Sequence, residues 1–290
     1  MNTATLVLLL ATWAVSMPAC RRSPTGQDPL AAAPEAREPL FADGDEQFFF
    51  DDFEGYTATA QLLAWGAVQP GRWLSNAKSA IVLTEIGARS GRHAVRFTYA
   101  AGQPQQDRLL EAQPAGARRD VLITTFWIRT LPGYEWINAS GNTHKIFLAN
   151  IGEADRWGLM FGSEPLTPAM SAYGRLEELR PNLSIGLYNY NQNRNFNRMR
   201  VGRDVNDGAW HRITLRLTAA SAPGAGRIEA WIDGILVIDY RGDTAGRPER
   251  GQVHIPAVLR AADFHFPSVM NAAPPRAQWI EYDDIRIWTR

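Results

Sequence analysis

The stretch from Tyr188 to Arg198 is the densest group of side chains that could recognise a sugar. It mixes aromatic rings, side-chain amides and guanidinium groups. Amides and guanidinium groups form bidentate hydrogen bonds with hydroxyl and carboxylate oxygens, and flat aromatic rings pack against sugar C–H groups. The same composition is typical of an asparagine-rich turn, because asparagine tolerates left-handed backbone and bonds to it locally. Both interpretations stay open, and the candidate binding residues of the segment are Tyr188, Tyr190, Asn191, Gln192 and Arg194.

Two pairs of carboxylates stand near the two ends of the predicted fold. Asp51 and Asp52 lie on the first predicted strand and Asp283 and Asp284 on the last, and we expect these strands to be neighbours. Hard carboxylate oxygens suit Ca²⁺, although solvated strand ends or arginine partners explain such residues better. The five histidines show no zinc spacing, and there is no glycine-rich phosphate loop. The sequence therefore requires no cofactor and suggests at most a structural Ca²⁺.

Charge and composition exclude some functions. The chain has 290 residues with 30 basic and 30 acidic side chains, so its formal net charge is zero. A general nucleic-acid binder needs a basic surface to replace phosphate counterions, so nucleic acid is not an expected partner. Only Lys78 and Lys145 are lysine, and the other basic residues are arginine. Because the arginines are spread along the whole chain, coding bias explains their total, while individual arginines remain candidates for carboxylate or sulfate recognition.

The first 45 residues read as targeting and tether segments. Residues 6–15 are an apolar run too short to span a bilayer, and Met17-Pro18-Ala19-Cys20 resembles a bacterial lipobox. Cys20 is the only cysteine, so it has no intramolecular disulfide partner, and lipidation explains its presence. We expect a signal peptide over residues 1–20, a proline- and alanine-rich tether over 21–45, and an exported lipoprotein in the periplasm or on the cell surface. Plain secretion and an uncleaved anchor are the alternatives.

From Phe48 onward the pattern predicts β-strands. Ile213, Leu215 and Leu217 alternate with polar residues, which is the period of a half-buried strand. Asp233-Gly234 separates two β-rich runs and predicts a type I′ hairpin. There is no long helical period, no repeat and no second linker. We therefore expect one all-β domain over residues 46–290, a single β-sandwich (jelly roll) of two curved antiparallel sheets.

Four framework segments bracket about 240 residues, nearly the whole predicted domain. They are Phe49–Glu54; Phe126–Arg129 leading to His144–Phe147; Asp207–Arg212 leading to Ile228–Gly234; and Asp283–Trp288. Together they resemble the concanavalin A-like lectin/glucanase fold and, within it, the jelly-roll polysaccharide lyases and their non-catalytic relatives. The resemblance is carried by framework residues, so it implies a fold more directly than an activity.

The resemblance also implies where a ligand binds. A glycan would lie across the concave face of one of two curved sheets. Strand alternation assigns side chains to the face opposite the core, and we expect them to line one groove. The residues assigned in this way are Trp127, Arg129, Lys145, Phe147, Tyr188 and Tyr190.

The lyase relatives suggest a reaction, β-elimination on uronic-acid polymers. That reaction needs a group that neutralises the C5 carboxylate, a base for the C5 proton and an acid for the leaving oxygen. The candidates for neutralisation are Gln192, Arg129 and Arg194. The candidates for the base are Tyr190, Tyr188 and His144.

The sequence favours binding over cleavage. Gln192 comes two positions later than in the alginate-lyase pattern, and Lys145-Ile146-Phe147 stands where that family has Gln-Ile-His. We therefore expect a polysaccharide-binding protein, with a polysaccharide lyase as the alternative and a structural surface domain as the second alternative. A laminarinase-type glycosidase is less favoured than a lyase because no Glu-x-Asp-x-x-Glu spacing occurs.

Overall fold

Regular structure is almost entirely β-strand in the computed structural model of this protein. The structure describes residues 44–63, 73, 81–103, 109–112, 118–135, 144–151, 157–163, 183–189, 194–200, 203–242, 255–260, 263–267, 269–270 and 273–290. All of these belong to one compact unit, Glu35–Arg290. Cys20, the predicted signal peptide and nearly all of the predicted tether lie outside the described residues.

The strands follow one another with short connections wherever the chain is described. They are β1 (Glu46–Asp51), β2 (Ile81–Thr84), β3 (Ala94–Tyr99), β4 (Leu109–Ala112), β5 (Val121–Thr130), β6 (His144–Asn150), β7 (Trp157–Ser163), β8 (Leu183–Asn189), β9 (Arg194–Arg200), β10 (His211–Thr218), β11 (Gly226–Ile232), β12 (Ile235–Gly242), β13 (Asp263–Phe266), β14 (Val269–Met270) and β15 (Gln278–Thr289). A five-residue helix, α1 (Thr59–Leu63), follows β1. No helix within the described ranges is long and apolar enough to cross a membrane.

The strands form two antiparallel sheets. The eight-stranded sheet has the order β12-β11-β10-β5-β15-β3-β2, with β1 beside β15. The seven-stranded sheet has the order β4-β13-β6-β7-β8-β9, with β14 beside β6. The prediction of an all-β sandwich is therefore confirmed.

Aromatic side chains from both sheets meet in the core. Phe126 of the eight-stranded sheet contacts Phe147 and Phe266 of the other sheet, with ring centroids 5.9 Å and 5.3 Å apart. Tyr282 of β15 packs edge-on against Phe266 at 5.9 Å. All four rings are essentially buried. These contacts hold the inner faces of the two sheets together, so each sheet also has an outer face on the opposite side of the sandwich.

Local sequence explains the hairpin between β11 and β12. Asp233 and Gly234 both have positive φ, 53° and 79°, as a type I′ turn requires. Ile232 and Ile235 are direct cross-strand partners on either side of the turn. The hairpin predicted from Asp-Gly is thus present.

The first and last strands are also neighbours, as the sequence predicts. In β1 and β15, Asp51 pairs with Ile285 and Phe50 with Arg286. β15 lies between β5 and β3, so the C-terminal strand is central to its sheet. The two pairs of aspartates that were considered for Ca²⁺, one at the end of β1 and one in β15, therefore lie in the same region of the eight-stranded sheet.

The alternation of β6 is interrupted by a β-bulge. The register with β7 shifts between Lys145 and Phe147, and both Ile146 and Phe147 belong to the core. Phe147 was predicted on the outer face, and this prediction is wrong because the extra residue inverts the parity of the strand. After the bulge, Ala149 faces the core and Asn150 faces outward.

Candidate functional site

The residues predicted to share one groove belong to different sheets. Trp127 and Arg129 are on β5 of the eight-stranded sheet, and they alternate with core residues, so they face away from the sandwich. Lys145 is on β6 and Tyr188 on β8 of the seven-stranded sheet. Because the inner faces of the sheets pack together, one groove cannot hold both sets. The prediction that these residues line one groove is therefore wrong.

A row of cross-strand partners crosses the seven-stranded sheet. Tyr188 is paired with Gly158, Gly158 with Asn150, and Asn150 with Asp263. Asn150 is half-buried and lies between the core residues Ala149 and Ile151, which places it on the outer face. Direct cross-strand partners occupy the same face of a sheet, so all four positions belong to the outer face. Gly158 has no side chain, which leaves the backbone of β7 uncovered by a side chain of its own at this position. We call Asp263, Asn150, Gly158 and Tyr188 the polar row.

Lys145 lies far from Tyr188 along the same sheet. Lys145 is paired with Gly162, which is paired with Ser184 of β8. Ser184 and Tyr188 are separated by four residues, or about 13 Å of extended strand. The sheet therefore places Tyr188 in line with Asn150, with Gly158 between them, and leaves Lys145 near the opposite end of the strands.

His265 is a residue that the sequence analysis did not single out. It lies on β13 between Phe264 and Phe266, both of which are in the core. Alternation therefore turns His265 to the outer face, although only 6% of it is exposed. It is paired with Leu148, two residues before Asn150, which puts the two backbones about 7–8 Å apart. The Phe-His-Phe pattern is the signal that could have identified this position.

His144 lies in the core and not on a sheet surface. Its imidazole is fully buried, with Nδ1 3.1 Å from the Tyr134 hydroxyl and Nε2 3.2 Å from the Tyr99 hydroxyl. Burial lowers the pKa of His144 to about 3, so the ring is neutral at ordinary pH. A polymer lying on either outer face cannot touch this ring. The prediction of His144 as a catalytic base is therefore wrong, because its imidazole is surrounded by core side chains and not by solvent.

Three predicted sugar-binding residues, Tyr190, Asn191 and Gln192, lie outside the described residues. Arg194 is the first residue of β9, where its backbone is paired with Asn189. For all four, the binding and catalytic roles stay predictions.

Asp51 has protein partners for both of its carboxylate oxygens. Oδ1 accepts a hydrogen bond from the Phe53 amide at 2.7 Å, and Oδ2 accepts from the Tyr56 hydroxyl at 2.8 Å and from the Trp73 indole. Burial raises the pKa of Asp51 to about 6 in spite of these hydrogen bonds. The neighbouring Asp52 accepts a hydrogen bond from the Glu54 amide at 3.1 Å.

The C-terminal pair is arranged differently. Asp283 is fully buried, and its Oδ2 accepts hydrogen bonds from the amides of Arg89 and Ser90 at 3.0 Å and 3.2 Å. Burial raises the pKa of Asp283 to about 7. Asp284 forms a 2.7 Å ion pair with Arg286. Within the described ranges, no three His, Cys, Asp or Glu residues are grouped to hold a metal ion, so structural Ca²⁺ stays a prediction.

The outer face of the eight-stranded sheet holds a buried carboxylate between two guanidinium groups. Glu281 is paired with Arg129 of β5 on one side and Arg96 of β3 on the other. Arg129 Nε donates to Glu281 at 2.6 Å and Arg96 Nε donates at 2.7 Å. Arg129 also lies over the Trp210 ring, 4.9 Å from its centroid. The predicted sugar-binding residue Arg129 is thus held by partners within the protein.

Comparison with known proteins defines the fold and not a family. No protein-family model matches the chain, and no curated protein matches it. Among solved structures, an endo-β-1,4-glucuronan lyase from the fungus Trichoderma reesei is similar with a TM-score of 0.52 and 15% identity, covering 84% of this chain and 96% of that one. An alginate lyase from Chlorella virus is similar with a TM-score of 0.51 and 9% identity, covering 75% and 93%. The cellulose-induced protein Cip1 has a TM-score of 0.49 and 15% identity, covering 82% and 95%.

The similarities to the glucuronan lyase and the alginate lyase confirm the predicted fold. The protein has the jelly-roll, concanavalin A-like architecture that these polysaccharide lyases share. Identities this low carry no activity from one protein to another, because many functions occur on one fold.

Proposed function

We propose that this protein binds a uronic-acid-containing polysaccharide across the outer face of the seven-stranded sheet. The observation that carries the proposal is the polar row, which runs across four adjacent strands with His265 beside it. Amide, phenol and imidazole groups are hydrogen-bond partners for sugar hydroxyl and carboxylate oxygens. Gly158 allows a sugar chain to approach the backbone in the middle of the row.

The fold supports the class of ligand. The two solved structures with TM-scores of 0.52 and 0.51 are a glucuronan lyase and an alginate lyase, and both polymers consist of uronic acids. Asn189 of β8 and the arginine- and asparagine-containing strand β9 belong to the same sheet. These observations support both parts of the proposal, a uronic-acid polymer as the ligand and the seven-stranded sheet as its binding surface.

Titration calorimetry with glucuronan, alginate and neutral β-glucan oligosaccharides tests the proposal. The full-length protein should bind the uronic-acid oligosaccharides more tightly than the neutral glucan. Replacing Tyr188 with Phe removes one hydroxyl, and loss of one hydrogen bond of about 1 kcal/mol should weaken binding roughly fivefold. Tyr240→Phe makes the same chemical change on β12 of the other sheet and should leave the affinity unchanged.

Two outcomes would contradict the proposal. Equal affinities for wild type and Tyr188→Phe would remove the polar row as the binding site. Failure of folded protein to bind any uronic-acid polymer would favour a structural surface domain.

Cleavage of the bound polymer is the second candidate function. It is favoured by one specific observation, that the glucuronan lyase and the alginate lyase, with TM-scores of 0.52 and 0.51, are both cleaving enzymes. β-Elimination creates an unsaturated sugar, so the ultraviolet absorbance of the calorimetry mixtures should rise with time if Tyr188 is the base. Tyr188→Phe should then reduce the rate by about a hundredfold or more. Bound polymer without any unsaturated product would confine the function to binding.

We also infer that the protein is exported and held at a membrane by a lipid on Cys20. The lipobox-like sequence and the proline-rich residues 21–45 support this inference. A tether of 25 residues allows the sandwich to reach a polymer away from the membrane surface.

A further inference from the structure

The outer face of the eight-stranded sheet carries three tryptophan rings, each with a guanidinium group over it. We call these six residues the arginine–tryptophan face. Distances from guanidinium carbon to ring centroid are 4.2 Å for Arg89 over Trp127, 4.9 Å for Arg129 over Trp210 and 4.5 Å for Arg96 over Trp279. All three indoles are partly exposed. This face lies on the opposite side of the sandwich from the polar row.

Internal contacts account for two of the three guanidinium groups. Arg96 and Arg129 share the buried carboxylate of Glu281, and each forms a short charge-assisted hydrogen bond with it. Their positions therefore have a structural explanation. Because two guanidinium groups share one carboxylate, Arg96, Arg129 and Glu281 together carry one more positive than negative charge.

Arg89 has no such explanation. It is exposed, and within the described part of the chain its side chain forms no ion pair with a carboxylate. Its partner is the Trp127 ring, which Arg212 also approaches at 5.9 Å. The Asp283 carboxylate below is buried and bonded to the Arg89 backbone, and its pKa is raised to about 7 by burial.

The loop that carries Arg89, residues 85–92, is fixed to the sheet. The amides of Arg89 and Ser90 donate to Asp283, the Trp210 indole donates to the Gly87 carbonyl at 3.0 Å, and Arg129 donates to the Ile86 carbonyl at 3.2 Å. The chain thus holds an exposed guanidinium in place before any ligand arrives. Such preorganisation reduces the entropy lost on binding.

We propose that the arginine–tryptophan face is a second binding surface for a carboxylated polysaccharide, with Arg89 and Trp127 at its centre. A guanidinium fork pairs with the planar carboxylate of a sugar acid, and the Trp127 ring beneath Arg89 supports that fork through a cation–π contact. The surplus of positive charge on this face, in a chain of zero net charge, attracts an anionic polymer. The ligand class here is deduced from the face itself and does not depend on the polar row.

The chain offers a matched pair of variants for the test. Arg89 and Arg92 are both exposed arginines of the 85–92 loop, but Arg92 pairs with Glu85 on the surface at 2.9 Å and is not stacked on an indole. Replacing either with Ala removes one positive charge and leaves every backbone hydrogen bond possible. Only Arg89→Ala removes a group from the arginine–tryptophan face.

Calorimetry should be done with full-length protein that also carries Tyr188→Ala, which disables the polar row. In this background, we expect uronic-acid oligosaccharides to bind with one remaining site. Arg89→Ala should weaken that site about tenfold, as loss of one charged hydrogen bond predicts, while Arg92→Ala leaves it unchanged.

Each other outcome would overturn the second site. Equal weakening by Arg89→Ala and Arg92→Ala would show attraction by diffuse charge only. Equal or tighter binding of a neutral glucan or a sulfated polymer would exclude a carboxylate site. Loss of all binding with Tyr188→Ala alone would leave the polar row as the sole site, so that this inference fails while the proposed function stands.

Discussion

At the scale of single residues, burial divides the ion pairs of this protein into two kinds. The side chain of Glu281 is 0% exposed between Arg96 and Arg129. Glu85 and Arg92 form a pair whose side chains are 57% and 69% exposed. Water and salt screen an exposed pair, whereas a buried carboxylate that loses its charge leaves its guanidinium partners unneutralised.

Replacing Glu281 with Gln should lower the free energy of unfolding by about 2 kcal/mol. The expected loss is below that for a fully buried pair because Arg96 and Arg129 are 26% and 18% exposed and remain partly hydrated. Urea unfolding of the purified protein measures the change. Glu85→Gln is the control and should leave the midpoint where it is. A midpoint unaffected by Glu281→Gln would show that this carboxylate does not stabilise the sheet.

At the scale of elements, a histidine connects the start of β10 to the turn between β11 and β12. His211 Nδ1 is 2.8 Å from Asp233 Oδ2, and its Nε2 is 2.9 Å from Asp207 Oδ1. Arg203 also pairs with Asp233 at 2.9 Å. Since both ring nitrogens face carboxylates, the arrangement is complete only when the imidazole carries two protons.

This contact should make stability depend on pH. Burial alone lowers the pKa of His211, but hydrogen bonds and charges from Asp233 and Asp207 outweigh burial and raise it above the usual 6.5. The protonated form is therefore favoured by folding, so its contribution is complete below pH 6.5 and is lost as pH rises through the raised pKa.

The difference in unfolding free energy between wild type and His211→Gln measures that contribution. It should be largest in mildly acidic solution and shrink as the pH increases. Asp207→Asn, which removes one of the two acceptors, should reduce the pH dependence. A difference that is constant from acidic to alkaline pH would contradict the assignment.

At the scale of the whole molecule, the sandwich separates two surfaces of different character. Phe126, Phe147 and Phe266 fill the space between the sheets, so the polar row and the arginine–tryptophan face look in opposite directions. A long polymer could contact both kinds of surface in two ways only. It could pass around an edge of one sandwich, or it could bind the polar row of one protein molecule and the arginine–tryptophan face of another. The proposed lipid anchor would concentrate the protein on a membrane and favour the second arrangement.

Cys20→Ser tests the anchor on the entire chain. In a bacterial host that expresses the full sequence, wild-type protein should be found in the membrane fraction and Cys20→Ser in the soluble fraction. Ser23→Ala changes a nearby residue of the tether and should leave the protein with the membrane. Mass spectrometry of the N-terminal peptide should show a lipid on Cys20, and an unmodified thiol there would refute the anchor.

The fold was largely predictable from local sequence. Alternation at Ile213, Leu215 and Leu217 and the Asp233-Gly234 turn are short-range signals, and the structure contains the strand and the hairpin that they predict. These signals work because side chains alternate along a strand and because few residues tolerate positive φ.

The site depended on tertiary structure. The sequence by itself determined which residues, such as Trp127, Arg129 and Tyr188, alternate with apolar neighbours, but strand alternation does not state to which sheet a strand belongs. Pairing between distant segments placed β5 in one sheet and β6 and β8 in the other, and so divided the predicted groove. One bulge residue turned Phe147 inward, and the burial of His144 between Tyr99 and Tyr134 arose from residues far apart in the chain. These outcomes come from long-range packing, which acts on the folded chain and leaves no mark within a short window of sequence.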